Sequence, residues 1–167
     1  MAEYGIKSIY VTALTDVELT DKEGEGTYRF VGENAYVWTR MDAVGCAAGE
    51  LLCRSATTEV TGKVPANTLS QAIGIGRKMG RFGVAASGGA VTASYYFWLQ
   101  MNGVVNVRKM AVLVNRDGTR SWPIIGATLG RLNVVTTNQT ALSGIKVLAT
   151  VSTTASTLVS CRIMFFH

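Results

Sequence analysis

Tyr95-Tyr96-Phe97-Trp98-Leu99-Gln100-Met101-Asn102-Gly103-Val104-Val105-Asn106-Val107 closes a stretch, residues 82–107, that contains no formally charged side chain. Such a stretch is either a membrane span or the buried centre of a β structure. A spanning helix needs roughly 20 mostly apolar residues to cross about 30 Å of hydrocarbon. Here Ser87, Gly88, Gly89, Thr92, Ser94, Gln100, Asn102, Gly103 and Asn106 interrupt the window. Amides and glycines at that density suit strands and turns, so no membrane partner is expected. Val91–Met101 and Val104–Val107 read as strands rich in β-branched and aromatic residues. Alternation puts Tyr95, Phe97 and Leu99 on one face and Tyr96, Trp98 and Gln100 on the other. Both faces are bulky, which predicts a strand covered on both sides, the outer cover being a neighbouring subunit.

Working outward, strand signals recur at short intervals. Thr27–Val31, Ala35–Thr39, Glu50–Arg54, Glu59–Thr61, Ala72–Ile75 and Phe82–Ala85 precede the aromatic run. Met110–Asn115 and Thr119–Trp122 flank Arg116-Asp117-Gly118, a hairpin signal. Asn102-Gly103 is either a second such turn or a glycine kink within one bent strand. Gly126–Val135, Gly144–Val151 and Thr157–Phe166 complete the series, the last with clean alternation. No segment sustains a helical apolar period over three turns. The expected class is all-β, a compact β-barrel or sandwich of short strands with an extended N-terminal arm.

The first 27 residues differ from the body, residues 28–167. Ile6, Ile9, Tyr10, Val11 and Leu14 form an apolar patch, and Thr15-Asp16-Val17-Glu18 has the form of a capping box opening a short helix. Asp21-Lys22-Glu23-Gly24-Glu25-Gly26 then reads as a hinge. Residues 1–33 carry seven acids against three bases, and residues 34–167 four acids against thirteen bases. An acidic leading segment on a basic body fits an arm that docks on a neighbour, or charges that merely solvate loops.

The chain has 167 residues, enough for one domain with a sizeable core. It is 48% hydrophobic and only 16% charged, against about 25% charged in ordinary soluble domains. So few charges suggest a surface partly covered by other subunits. Met1-Ala2-Glu3 offers no basic start to a secretory signal, so Asn138-Gln139-Thr140 carries no weight as a glycosylation site. Cys46, Cys53 and Cys161 lack a metal-type spacing and read as reduced, buried thiols. A Cys46–Cys53 disulfide is the alternative.

The catalytic inventory is thin. His167 is the only histidine, and residues 34–167 hold four acids, Asp42, Glu50, Glu59 and Asp117. Nucleophilic catalysis needs a positioned base and metal sites need clustered donors. The chain is therefore expected to be non-enzymatic, with no catalytic residue, cofactor or metal. Gly74-Ile75-Gly76-Arg77-Lys78-Met79-Gly80 is one residue too long for the dinucleotide fingerprint, and no helix pattern follows it. Arg77, Lys78 and Arg81 instead face solvent or a partner. With the Tyr95–Trp98 aromatics they also suggest a single-stranded nucleic-acid binder. Aromatics flanked by apolar residues on a strand are more often core, so no direct nucleic-acid contact is expected.

Phe82-Gly83-Val84-Ala85, Gly88-Gly89-Ala90-Val91 and the run from Tyr95 to Val105 together resemble small tailed-phage capsid auxiliary proteins. In these a Gly-Val-Ala strand, a glycine turn and an aromatic–Trp–aliphatic–Gln strand form the middle of a β-barrel. Tyr28–Val31 resembles the family's opening strand, Ala47–Leu52 the next, and Gly126–Gly130 with Leu158–Phe166 the last turn and strand. The chain departs from the pattern at its N-terminal arm, at Arg77–Arg81 and at Val112–Pro123. The resemblance implies a decoration or cement protein, made in the host cytoplasm, that binds the major capsid protein on the outside of an icosahedral head. It implies a homotrimer that stabilises the lattice. A single-stranded nucleic-acid-binding β-barrel is the runner-up reading, and a tail or head–tail joint protein the third. Partner contacts are expected at Tyr4, Ile6, Ile9, Tyr10, Val11, Leu14, Arg77, Lys78 and Arg81, with Tyr4, Ile9 and Tyr10 as anchors. Alternatively, residues 1–14 complete the chain's own barrel.

Overall fold

The computed structural model describes residues 10–54, 61–63, 82–109, 123–125, 131–134, 145–148 and 157–164. Within them the strands are β1 (Val17–Glu18), β2 (Tyr28–Val31), β3 (Asn34–Arg40), β4 (Leu52–Arg54), β5 (Thr61–Lys63) and β6 (Phe82–Ala85). They continue with β7 (Tyr96–Arg108), β8 (Pro123–Ile125), β9 (Leu132–Val134), β10 (Ile145–Val147) and β11 (Leu158–Met164). The described residues contain no helix, and the fold is all-β. One sheet runs β10-β11-β7-β6-β4-β5, with β3 and β1 also paired to β7 and β2 to β3. β8 and β9 form a separate pair. All these strand pairs are antiparallel. The arrangement is sandwich-like, and the described strands do not close into a barrel.

β7 organises the sheet because it is long enough to serve several partners. Its first half, from Tyr96 to Asn102, pairs with β3, and its second half, from Asn102 to Arg108, pairs with β11. β6 pairs at Leu99 and Gln100, opposite the edge that β3 occupies there. The two strands expected at Val91–Met101 and Val104–Val107 are thus one, and Asn102-Gly103 is the kink rather than a turn. Residues 91–95 stay outside it: Val91 makes an isolated bridge to Cys46, and Ser94 adopts φ 66°.

The kink has a local cause. The β3 register slips between Ala35 and Tyr36, leaving Met101 as the extra residue of a bulge. Gly103 follows with φ +106°, where a side chain is strained, and a Cβ there would collide with Asn34 Oδ1. Gly83 is required for a different reason, since its Cβ would run into the Gln100 carbonyl where β6 lies against β7.

Burial follows the alternation. Val37, Met41, Leu52, Ala85, Phe97 and Leu99 belong to one apolar cluster, while Leu51, Val84, Val105, Val107, Val159 and Ile163 belong to a second. Leu51 and Leu52, like Val84 and Ala85, are chain neighbours in different clusters, so the clusters lie on opposite faces of β4 and β6. Tyr36, Trp38 and Trp98 form a third, aromatic layer. Phe97, Trp98 and Leu99 are all fully buried, as a strand covered on both faces requires.

Thr15-Asp16-Val17-Glu18 does not open a helix. The Asp16 carboxylate accepts the Ala13 N–H, three residues back, and Val17 and Glu18 pair with Phe97 and Tyr96. The Arg116-Asp117-Gly118 hairpin and the strands at Ala72–Ile75, Met110–Asn115 and Thr119–Trp122 lie outside the described residues. Gly103→Ala should lower unfolding stability by about 1–3 kcal/mol, the cost of a disfavoured backbone conformation. Denaturant titration of the purified variant measures it, and a stability equal to the parent's would show that the kink tolerates a side chain.

Candidate partner-binding surface

The outer cover of the aromatic strand is not a neighbouring subunit but this chain's own segment Tyr10–Glu23. Trp38 stands directly opposite Trp98 across β3 and β7, with ring centroids 5.3 Å apart at 61°. Tyr96 stacks on Trp38 and Tyr10 meets Trp98 edge-on at 5.7 Å. Each indole N–H in this dry layer needs an acceptor, because an unsatisfied buried donor costs about 1–3 kcal/mol. The N-terminal segment supplies both. Thr12 Oγ1 accepts from Trp98 Nε1 at 2.9 Å, and Asp21 Oδ1 accepts from Trp38 Nε1 at 2.8 Å.

Thr12 is the centre of this latch. Its hydroxyl, having accepted the indole proton, donates its own to Glu23 Oε1 at 2.6 Å, and its N–H donates to the same oxygen. Its carbonyl accepts from Arg29 Nη1 at 3.0 Å. The Arg29 guanidinium then lies 4.7 Å from the Tyr10 ring centroid and 5.9 Å from that of Trp98. Such cation–ring contacts contribute about 0.5–2 kcal/mol. Asp21 also accepts the N–H groups of Gly24 and Glu25, so the stretch expected as a hinge is a turn pinned to Trp38.

Of the residues expected to meet a partner, Tyr10 is half-buried against Trp98 and donates its hydroxyl to the Tyr28 carbonyl. Leu14 packs on the same layer, whereas Val11 is 72% exposed. Tyr4, Ile6, Ile9, Arg77, Lys78 and Arg81 lie outside the described residues. The structure adds candidates that alternation had not marked. Tyr28, Phe30 and Val31 of β2 are exposed, and the first two rings stack at 6.5 Å. Val104, Leu158 and Met164 are exposed on the outer side of the β7–β11 pair.

Among the described residues, Glu50 and Asp42 are held by backbone and side-chain partners. The buried Glu50 carboxylate accepts the Ala47 N–H and lies 3.5 Å from Arg131 Nε. Asp42 Oδ1 accepts from the N–H groups of Val44 and Gly45 and shapes that turn. Among the described residues, no group of three or more His, Cys, Asp or Glu side chains is placed to hold a metal ion. Burial raises the Tyr36 phenol, against smaller lowering effects from Asn34 and Arg29. All three cysteines are free thiols. Burial pushes Cys161 up to about 12, and burial with the nearby Asp42 charge pushes Cys53 up to about 11.

Thr12→Val keeps the shape but removes the hydroxyl, and should cost about 1–3 kcal/mol by leaving the Trp98 N–H without its acceptor. Denaturant unfolding followed by tryptophan fluorescence checks this. The two thiols give a pH effect of fixed sign. Folded, they keep their protons, while unfolded thiols ionise near 9.0. Their contribution is complete below that pH and lost as pH climbs toward 11 and 12. Iodoacetamide at neutral pH should accordingly label Cys53 and Cys161 only after denaturation, as read by mass spectrometry.

No protein-family model matches the chain, and a search of curated proteins finds no match. The likeness to capsid auxiliary proteins therefore rests on the residues that carry it.

Proposed function

We propose that this chain is a non-enzymatic structural protein of a phage virion, which binds the outer surface of an icosahedral head and stabilises its lattice as a trimer. The observation that carries this reading is the pairing of the two motif strands. Phe82–Ala85 and the aromatic run, joined through the Gly88-Gly89 turn, lie side by side in register at the centre of the sheet. The resemblance implies these two strands as neighbours in the middle of a β-barrel; here they are neighbours in an open, sandwich-like sheet. A protein that braces a lattice needs a stiff body and apolar patches at its surface, and weak individual contacts suffice when many copies act together. Exposed Tyr28 and Phe30, stacked on one face of β2, offer one such patch.

The single-stranded nucleic-acid alternative is less favoured because two of the four aromatics in its Tyr95–Trp98 platform, Phe97 and Trp98, are fully buried. The major capsid protein is the partner this reading calls for, on the exterior of the head. A tail or head–tail joint role would use the same apolar patches, and a different particle distinguishes it.

The experiment is co-sedimentation of the purified protein with tail-less expanded heads and, separately, with isolated tails. The expected result is saturable binding to heads, which then withstand heating better than bare heads. Binding to tails alone, or to neither particle, would overturn the proposal. Retardation of a single-stranded oligonucleotide with steep salt dependence would favour the alternative.

A further inference from the structure

The edge of β7 that faces away from β11 is covered toward both ends and open between them. β6 pairs there with Leu99 and Gln100, while its Phe82 and Gly83 diverge to pair with β4. At the far end the Arg108 N–H donates to the Gly49 carbonyl at 2.7 Å. In an antiparallel ladder alternate residues bond to one neighbour, and those between them face the opposite edge. Arg108 faces Gly49, and Ser160, opposite Asn106, gives its carbonyl to Leu148. Val105 and Val107 therefore carry the bonds to β11, and Val104 and Asn106 turn their N–H and C=O groups to the open edge. Among the described residues neither of these two N–H groups meets an acceptor.

A cleft of about 240 Å³ lies along this stretch, lined by Ala85, Ala86, Gln100, Val104, Asn106 and Leu158. It is smaller than the pockets of about 300–1,000 Å³ that enclose small molecules. Gly49 bounds it closely: a Cβ there would collide with Leu158 and press on the Asn106 carbonyl. The Gln100 amide donates to the Asn102 and Val104 carbonyls at 3.1 and 3.4 Å, so its N–H groups are committed within β7. Two N–H groups and the Asn106 carbonyl are left to recognise something. The N–H groups, two residues apart, are spaced by about 7 Å, the repeat of carbonyls along one edge of an extended chain. The charge nearby is positive. Residues 102–108 and 157–164 hold Arg108 and Arg162 and no acid, and Arg108 Nε donates to the Ala48 carbonyl, beside Gly49.

We propose that this open edge is a peptide-binding slot, in which an extended acidic segment of another protein pairs with Val104 and Asn106 as an added strand. Backbone hydrogen bonds hold such a strand, and alternate side chains give it specificity. One of its side chains enters the cleft between Ala86 and Leu158, and its carboxylate lies toward Arg108 at the Gly49 end. The slot goes beyond the head-binding role proposed above. It is tested on the purified protein without heads, so its failure and a failure of head binding are separate results.

The experiment is amide hydrogen exchange and chemical-shift mapping by NMR on the full chain, alone and with a capped pentapeptide of alternating threonine and valine that carries an aspartate at one end. In the free protein the Val104 and Asn106 amides should exchange roughly 100-fold faster than those of Val105 and Val107. The peptide should slow and shift them saturably. Asn106→Pro removes one donor at an edge position that accepts proline, and should weaken binding roughly tenfold. Arg108→Gln should remove the preference for this peptide over one carrying lysine instead. Val104 and Asn106 amides already protected in the dilute free protein would overturn the proposal, because the chain would then cover its own edge. Protection that grows with protein concentration would also overturn it, since a second copy would be the occupant. So would equal binding of a backbone N-methylated peptide or of the lysine peptide, or shifts confined to another surface. If Asn106→Pro loses the parental circular dichroism, the parent's exchange pattern and the N-methylated peptide decide.

Discussion

Burying two indole N–H groups in one aromatic layer is the constraint on which the rest of this structure depends. Trp38 and Trp98 face each other across the β3–β7 pair with no exposed surface. Neither strand can supply acceptors to a ring nitrogen pointing away from the sheet. Thr12 and Asp21 supply them, and this fixes the path of the chain from Tyr10 to the start of β2. The acids of this segment are thereby divided in function. Asp16, Asp21 and Glu23 accept hydrogen bonds from backbone, indole or hydroxyl groups, while Glu18 pairs with Lys22.

The long strand carries a second constraint. A regular strand of thirteen residues would keep one alternation throughout, yet β7 must serve β3 and β6 near its start and β11 near its end. The bulge at Met101 and the left-handed Gly103 allow the change of partner without ending the strand. Past the kink, Val105 and Val107 join the cluster of Val159, Cys161 and Ile163, and Val104 and Asn106 turn outward. The kink therefore creates the exposed basic face as well as the buried cluster beneath it.

The strands were the legible part of the sequence. Tyr28–Val31, Ala35–Thr39, Phe82–Ala85 and the alternating Leu158–Met164 are apolar or aromatic runs bounded by glycine or polar turns, and the structure places β2, β3, β6 and β11 there. Two-sided burial of Phe97 and Trp98 was legible because both faces of that run are bulky. The latch was not. Thr12 and Trp98 are 86 residues apart, and Asp21 and Trp38 are 17 apart. Threonine and aspartate near a glycine turn carry no mark of a distant indole. Thr15-Asp16-Val17-Glu18 misled for a related reason: the pattern of a helix cap is also that of a turn, and pairing with β7 decided between them.

The 86-residue separation between Thr12 and Trp98 also bears on the order in which the molecule is completed. A contact so distant in sequence forms late, since the intervening chain must be collected first. During synthesis the acidic segment leaves the ribosome well before the aromatic strand that will hold it. Asp21 can reach Trp38 once β3 is made, but the Thr12 end stays unfastened while β4 and β6 follow. The Thr12 end, the earliest part of this layer to be synthesised, is the last to be locked in place.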